Sequence, residues 1–322
     1  MKKDNNRPCP FCGEIEICNE YKKQDYPEVL QGFKVSSSMK KCSGCKSLYL
    51  NHTPTRDELS ELYSQHFTYS DKYSRKTIDQ YKKQLSTLLN LGTQKTAKLL
   101  EIGCAGGNWL LASKEMGWDT EGNDLNREML ERVSKEVGVQ THHGFFEDIN
   151  LPNEGYDIVI AMNVFEHLVE PDALIRKLSK VLKPGGLFFM KTPMANSMSE
   201  RFEAEEWVQL HNLGHILFGS KRAIEDIFNK HGFQCVLHRY AGFPPKIFSF
   251  MMRRKKVQKI TLMVESEGAT NESIESVESL TMGPKNTIRH FFANSHMVKP
   301  IYYWLLNLFK VGDSSYWVFK NK

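Results

Sequence analysis

Three groups of residues in this 322-residue chain have types and spacings that suit chemistry. The first is a pair of C-x-x-C knuckles, Cys9-Pro-Phe-Cys12 and Cys42-Ser-Gly-Cys45, separated by 29 residues. Two such pairs can close a tetrahedral four-sulfur site, each clamping one edge, and a structural Zn2+ is the ion they suit. A redox dithiol needs one such pair beside a βαβ pattern, and neither pair has that context. The second group is the stretch LLEIGCAGGNWL, where an apolar run ends at Glu101 and Ile102 and Gly103, Gly106 and Gly107 follow. Glycines there let the backbone turn sharply and come close to a ligand. The spacing is not G-x-G-x-x-G and no Lys-Ser/Thr pair follows, which excludes a phosphate-cradling P-loop. An acidic residue opens the loop and no base lies in it, which suits a cationic ligand. Asp124 stands 23 residues after Glu101, where a carboxylate can accept hydrogen bonds from a ribose hydroxyl. The third group is His167, His211 and His215. Histidine is the side chain best matched to proton transfer near neutral pH. His211 and His215 are four apart and would share one face of a helix. The residues between them lack the glutamate of H-E-x-x-H, so a zincin-type metal site is set aside. For each histidine a hydrogen-bonded structural role competes, and Glu166 could orient a helix or a ligand.

The elements that must position these groups follow from periodicity. Residues 1–52 hold five of the seven cysteines and few long apolar runs, which reads as a small loop-rich module that metal binding would help to fold. Cys18, Cys104 and Cys235 read as ordinary packed thiols. Residues 53–95 read as a helical linker or lid: Thr55 and Glu58 have capping-box spacing, and Ile78, Tyr81, Leu85, Leu88 and Leu89 repeat as an amphipathic helix does. From 96 to 242 strands alternate with helices. AKLLEIG, WDTEGND, YDIVIAMN, LFFMKT and FQCVLHRY read as strands; Glu128 to Val137, Pro171 to Leu182 and Lys221 to Lys230 read as helices. Such alternation predicts an α/β domain on a mostly parallel sheet. Residues 243–312 read as a charged and aromatic insertion. RRKKVQK carries five positive charges, and Glu265 to Glu278 carries five acids and no base. YWVFK, within 313–322, reads as a closing strand antiparallel to QCVLHRY.

Composition narrows the function classes. The chain has 43 basic and 38 acidic residues and a net charge of +5, too mild to argue a nucleic-acid binder. Residues 1–52 show no aromatic-and-basic stacking face, although Lys40, Lys41 and Lys46 crowd the second knuckle. No apolar run approaches the ~20 residues of a membrane span, and no apolar stretch follows the N-terminal lysines. A soluble cytoplasmic protein is the expectation. The aromatic run Tyr302 to Phe309 reads as a buried helix, with peripheral membrane contact beside RRKK as its alternative.

LLEIGCAGG, GNDLN, GFFEDI, YDIVIAMNVFEHL and LKPGGLFFMKTP together resemble the ordered motifs of class I S-adenosylmethionine-dependent methyltransferases. The resemblance spans about 97–240, roughly 45% of the chain. It implies a Rossmann-like sheet with helices on both faces, plus the zinc-ribbon module and an insertion before the last strand. It implies that Glu101, Gly103, Cys104, Ala105, Gly106 and Gly107 line the methionine moiety of S-adenosyl-L-methionine. Asp124 would then bind the ribose and Leu125 pack on the adenine. Glu147 and Asp148 would sit near the adenine amine, and Asn163 under the cofactor. Trp109, just inside the following helix, departs from the small residues common there. It would pack on the cofactor or fill the core. The cysteine ribbon, the Tyr-rich linker, Asn196, the run His215 to Ser220, Gly232-Phe233 and Gly312-Asp313-Ser314 before Trp317 are similar to a subgroup acting on sugars, polysaccharides and secondary metabolites. The expected partner is therefore a small-molecule or carbohydrate acceptor, lipid-linked in one variant. An RNA-modifying enzyme using the ribbon as a grip, and a non-catalytic cofactor-binding scaffold, are the alternatives.

Overall fold

The computed structural model describes residues 7–15, 18–24, 37–65, 73–93, 95–212, 214–241 and 312–322. The N-terminal part comprises β1 (Cys18–Gln24), β2 (Ser37–Cys42), β3 (Leu48–Leu50), α1 (Arg56–Gln65) and α2 (Arg75–Leu89). The first half of the core follows with β4 (Lys98–Ile102), α3 (Asn108–Glu115), β5 (Asp119–Asp124), α4 (Arg127–Val137), β6 (Gln140–His143) and β7 (Tyr156–Met162). Then come α5 (Pro171–Val181), β8 (Leu182–Pro193), α6 (Met198–Glu203), β9 (Leu217–Phe218), α7 (Lys221–Lys230), β10 (Phe233–Ala241) and β11 (Ser314–Asn321).

Local chemistry sets these boundaries. The Thr55 N–H donates to Glu58 at 2.7 Å, and the Glu58 N–H to Thr55 Oγ1 at 3.3 Å, so the capping box opens α1. Asn126 caps α4 by accepting from the Met129 N–H, and Gly138 ends that helix at φ +70°. In α2, Ile78, Leu85 and Leu88 are the buried face. β4 and β7 are almost continuously buried, as strands covered on both faces must be.

The large sheet has the order β6-β5-β4-β7-β8-β11-β10. β4 through β8 are mutually parallel, and β11 runs antiparallel to both β8 and β10. The pairing expected between YWVFK and QCVLHRY is therefore present, with His238 opposite Trp317. Connections leave β4 and β7 in opposite directions, which opens a crevice at the carboxyl ends of these two strands.

Several expectations need correction. His211 ends a short 3-10 turn, Val208–His211, Asn212 turns extended at ψ 123°, and Gly214 adopts φ +86°. The two histidines therefore do not share a helix face. β8 begins at Leu182 and runs through Pro184 and the glycines, with a register shift opposite Tyr156/Ile158. β6 is a strand without an apolar signature. The ribbon sheet, of order β1-β2-β3-β9, takes its last strand from beyond residue 200. Trp109 resolves as core: it stacks on Tyr81 at 4.0 Å and meets Phe189 edge-on. The insertion expected at 243–312, with its charge blocks and aromatic run, lies outside the described residues apart from Gly312.

Candidate active site

The turn after β4 is built by conformation that side chains resist. Gly103 sits at φ +65°, and a Cβ there would fall 2.6 Å from Val164 Cγ2. Ala105 (φ +46°) and Asn163 (φ +56°) are non-glycine residues in the left-handed region, a strain that clusters at ligand sites. Gly107 opens α3 at φ +75°. The turn is tied to β5, because the Ala105 N–H donates to Asp124 Oδ2 at 2.8 Å. Asp124 Oδ1 accepts from Asn126 N–H at 2.9 Å. Both carboxylate oxygens are thus oriented by backbone donors.

Behind Asp124 lies Glu101, only 3% exposed, and its Oε2 has no hydrogen-bond partner among the described residues. Burial, then the neighbouring Asp124, pushes the Glu101 carboxyl well above the usual range. Burial also raises Asp124, against the backbone N–H groups that favour its charged form. A cation joining two adjoining carboxyl groups desolvated in this way would stabilise both as carboxylates.

The crevice opens into a cavity of about 710 Å³. Gly103, Ala105, Asp124, Leu125, Glu147 and Asn163 line one half of it. Glu101, Cys104, Gly106 and Gly107 lie buried within or beneath the turn. Asp148 instead faces outward, paired with Arg56 at 2.6 Å. α1 covers the cavity with Arg56, Leu59 and Tyr63, and Arg56 also lies 4.1 Å over the Phe145 ring.

The other half collects His167, His215, Glu166, Lys191, Gln209 and Asn212. His167 Nδ1 lies 2.8 Å from the Gly214 carbonyl, and His215 Nδ1 3.1 Å from that of Gln209. A carbonyl only accepts, so both Nδ1 atoms carry the hydrogen and both Nε2 atoms keep a lone pair. Burial lowers His167 to about 4 and His215 to about 3, the latter with help from His167. The rings meet edge to face at 4.8 Å. Glu166, 1% exposed, accepts from Thr192 Oγ1 at 3.0 Å, stands 4.0 Å from His215 Nε2, and is raised to about 7 by burial. Ligand-capable atoms of Glu166, His167 and His215 all lie within 4.8 Å of one another. Two neutral imidazoles and a carboxyl so placed can take up a proton or hold a divalent cation. His211 is exposed and is not brought to the cavity.

The cysteines converge as their spacing suggested. Cys9 and Cys45 sulfurs are 3.5 Å apart, those of Cys12 and Cys42 3.6 Å, and all four lie within 4.8 Å. A tetrahedron with Zn–S bonds of ~2.3 Å has edges of about 3.8 Å, so the donor set fits that ion. The hydrogen bond from Cys9 draws Cys45 down to about 5, toward the thiolate a metal would take.

Residues 53–95 read as a helical linker or lid, and α1 within them covers the cavity; the cavity positions of Lys191, Gln209 and Asn212 were not legible. Arg56 and Tyr63 carried no signal beyond helix periodicity, and Asn212 follows a turn that no local pattern marks.

Comparison with known proteins accords with this arrangement. A family model described as a methyltransferase domain matches residues 73–238, just over half of the chain. A ubiquinone biosynthesis O-methyltransferase of Bordetella avium (strain 197N) is 31% identical over 118 residues, covering 34% of this chain and 48% of that protein. One from Xanthomonas euvesicatoria pv. vesicatoria (strain 85-10) is 33% identical over 102 residues, covering 30% and 43%. The chain thus spans less than half the length of these relatives. A solved SAM-dependent methyltransferase from Archaeoglobus fulgidus superposes with a TM-score of 0.47 at 17% identity, covering 76% of this chain and 94% of that one. With the family model spanning 73–238, which takes in the glycine turn, Asp124 and the His167 end of β7, the chain belongs to the methyltransferase-domain family.

Proposed function

We propose that the protein transfers a methyl group from S-adenosyl-L-methionine to a hydroxyl of a small-molecule or sugar-type acceptor, with a structural zinc in the four-cysteine site. The observation that carries this reading is the buried Glu101–Asp124 carboxyl pair at the glycine turn, with Glu101 Oε2 left without a partner among the described residues, which favours a ligand that brings a cation and hydroxyl donors. Asp124 would accept from the ribose hydroxyls, Leu125 and Phe146 would flank the adenine, and Glu147 would meet its amine. When bound, S-adenosylmethionine supplies a methyl carbon already electrophilic through its sulfonium. The protein's own tasks are then to align the acceptor, exclude water and take one proton. α1 roofs the cavity and serves the second task. His215 or His167 serves the third, the acceptor O–H giving its proton to a bare Nε2. Glu166, once ionised, steadies the imidazolium so formed. The two relatives named O-methyltransferases favour oxygen as the receiving atom, and the family reading favours small acceptors over RNA.

Transfer of a labelled methyl group to a panel of phenols, catechols and glycosides tests the reading. His215→Ala or His167→Ala should lower kcat by about 10²–10⁴, the usual worth of a general base, while S-adenosylhomocysteine binding stays intact. The rate should rise with pH through about 7 as Glu166 ionises, and Glu166→Gln should flatten that limb. Transfer to amines with none to hydroxyls, or histidine variants as fast as the parent, would contradict it.

A further inference from the structure

We infer that the metal-loaded four-cysteine module is a brace for the acceptor half of the cavity: it holds segment 214–220, and with it His215, while the cofactor half stands without it. The division into two halves rests on the function proposed above; the brace itself rests on contacts. β9 has its ladder on the ribbon, with Leu48 opposite Phe218 and Tyr49 opposite Leu217. The Leu50 N–H donates to the Ile216 carbonyl at 2.9 Å, one residue from His215.

Both knuckles touch the same segment. Ser220 Oγ donates to the Cys45 carbonyl at 2.5 Å, and the Ser220 N–H to Ser47 Oγ at 3.1 Å. Phe11, between Cys9 and Cys12, comes so close to Gly219 that a Cβ there would lie 2.9 Å from Phe11 Cζ. Met39, Leu48 and Leu50 of the ribbon share an apolar cluster with Trp207, Ile216 and Phe218. On its other side the segment meets the catalytic turn: the Ile216 N–H donates to the Glu166 carbonyl at 2.9 Å, and Gly214 accepts from His167. His215 is therefore clamped between the ribbon and the Glu166–His167 turn. The glycine turn has different supports, its hydrogen bonds running to Asn123 and Asp124 of β5.

β3 has three residues and β9 two, so few backbone hydrogen bonds hold this edge of the ribbon sheet. The four sulfurs join the turn before β1 to the turn between β2 and β3, so metal binding supplies the folding energy that keeps β3 in register. Loss of the metal should release β3, then β9, then His215.

Amide hydrogen exchange, read by mass spectrometry on the full chain, tests this. Metal-loaded protein is compared with chelator-stripped protein and with Cys12→Ser, whose substituted side chain is exposed. Exchange over 214–220 should quicken about tenfold or more on metal loss, as local opening without global unfolding does. Peptides covering 98–107 and 119–126 should stay protected, and the Kd for S-adenosylhomocysteine should change less than about threefold. Unchanged protection at 214–220 without metal would overturn the inference, as would protein that carries no metal when purified. Simultaneous loss of protection in the glycine turn would overturn it too, because it would make the metal a support of the whole fold. Loaded protein that binds no S-adenosylhomocysteine sinks the proposed function, and the exchange pattern then decides the brace independently.

Discussion

Glu101 constrains the cavity's ligand more than any other residue. Its carboxyl is buried, has an oxygen without a partner among the described residues, and stands beside a second carboxyl group. In the free protein its raised pKa favours the protonated form. A bound cation lowers that pKa, so binding should expel a proton, and affinity should rise with pH between the ordinary carboxylate range and the raised value. Calorimetry of binding of S-adenosylhomocysteine, whose cation is the α-ammonium of its amino-acid end, in buffers of different ionisation enthalpy should show this release, and Glu101→Gln should abolish it. Binding with no proton exchange would place the cation elsewhere. Glu101 and Asp124 were legible in the sequence because residue type and distance from a glycine turn suffice to find them. Of the three candidate histidines, His167 and His215 line the cavity and His211 does not: a four-residue spacing puts His211 and His215 together only in a helix, and Gly214 at φ +86° ends that possibility.

At the scale of elements, apolar runs made the strands easy to read, and the misses have physical causes. β6, QTHH, is an edge strand held by parallel pairing to β5, so neither face needs an apolar run. β9 is two residues long and exists because β3 needs a partner. Pro184 and the glycines after it lie between the helix read to Leu182 and the strand read as LFFMKT, yet β8 accommodates them beside its register shift. The glycine turn itself gives a sharp test. Gly117→Ala, at φ +80° with open space around it, should cost about 1–2 kcal/mol for left-handed backbone alone. Gly103→Ala carries the same strain plus a 2.6 Å clash with Val164, so urea unfolding should show a larger loss, accompanied by weaker cofactor binding. Equal losses at the two sites would mean that Val164 yields freely and the turn is looser than its geometry implies.

For the whole molecule, the two sheets meet behind one cavity. The large sheet provides the crevice at the carboxyl ends of β4 and β7, and the ribbon sheet pairs with β9, two residues after the cavity-lining His215. The sequence located both modules by composition, but not their junction. That junction depends on contacts between residues such as Cys45 and Ser220, 175 positions apart, which no local pattern encodes. No helix among the described residues is long and apolar enough to cross a membrane.

Whether this cavity holds S-adenosylmethionine is decided by a thermal-shift titration. Metal-loaded protein and Asp124→Asn would each be titrated with S-adenosylhomocysteine and, separately, with NAD. Tm should rise saturably with S-adenosylhomocysteine alone, equivalent to about 2.7 kcal/mol at a hundredfold excess over Kd, and rise less in the variant. No rise in well-folded parent protein, or an equal rise with NAD, would contradict it.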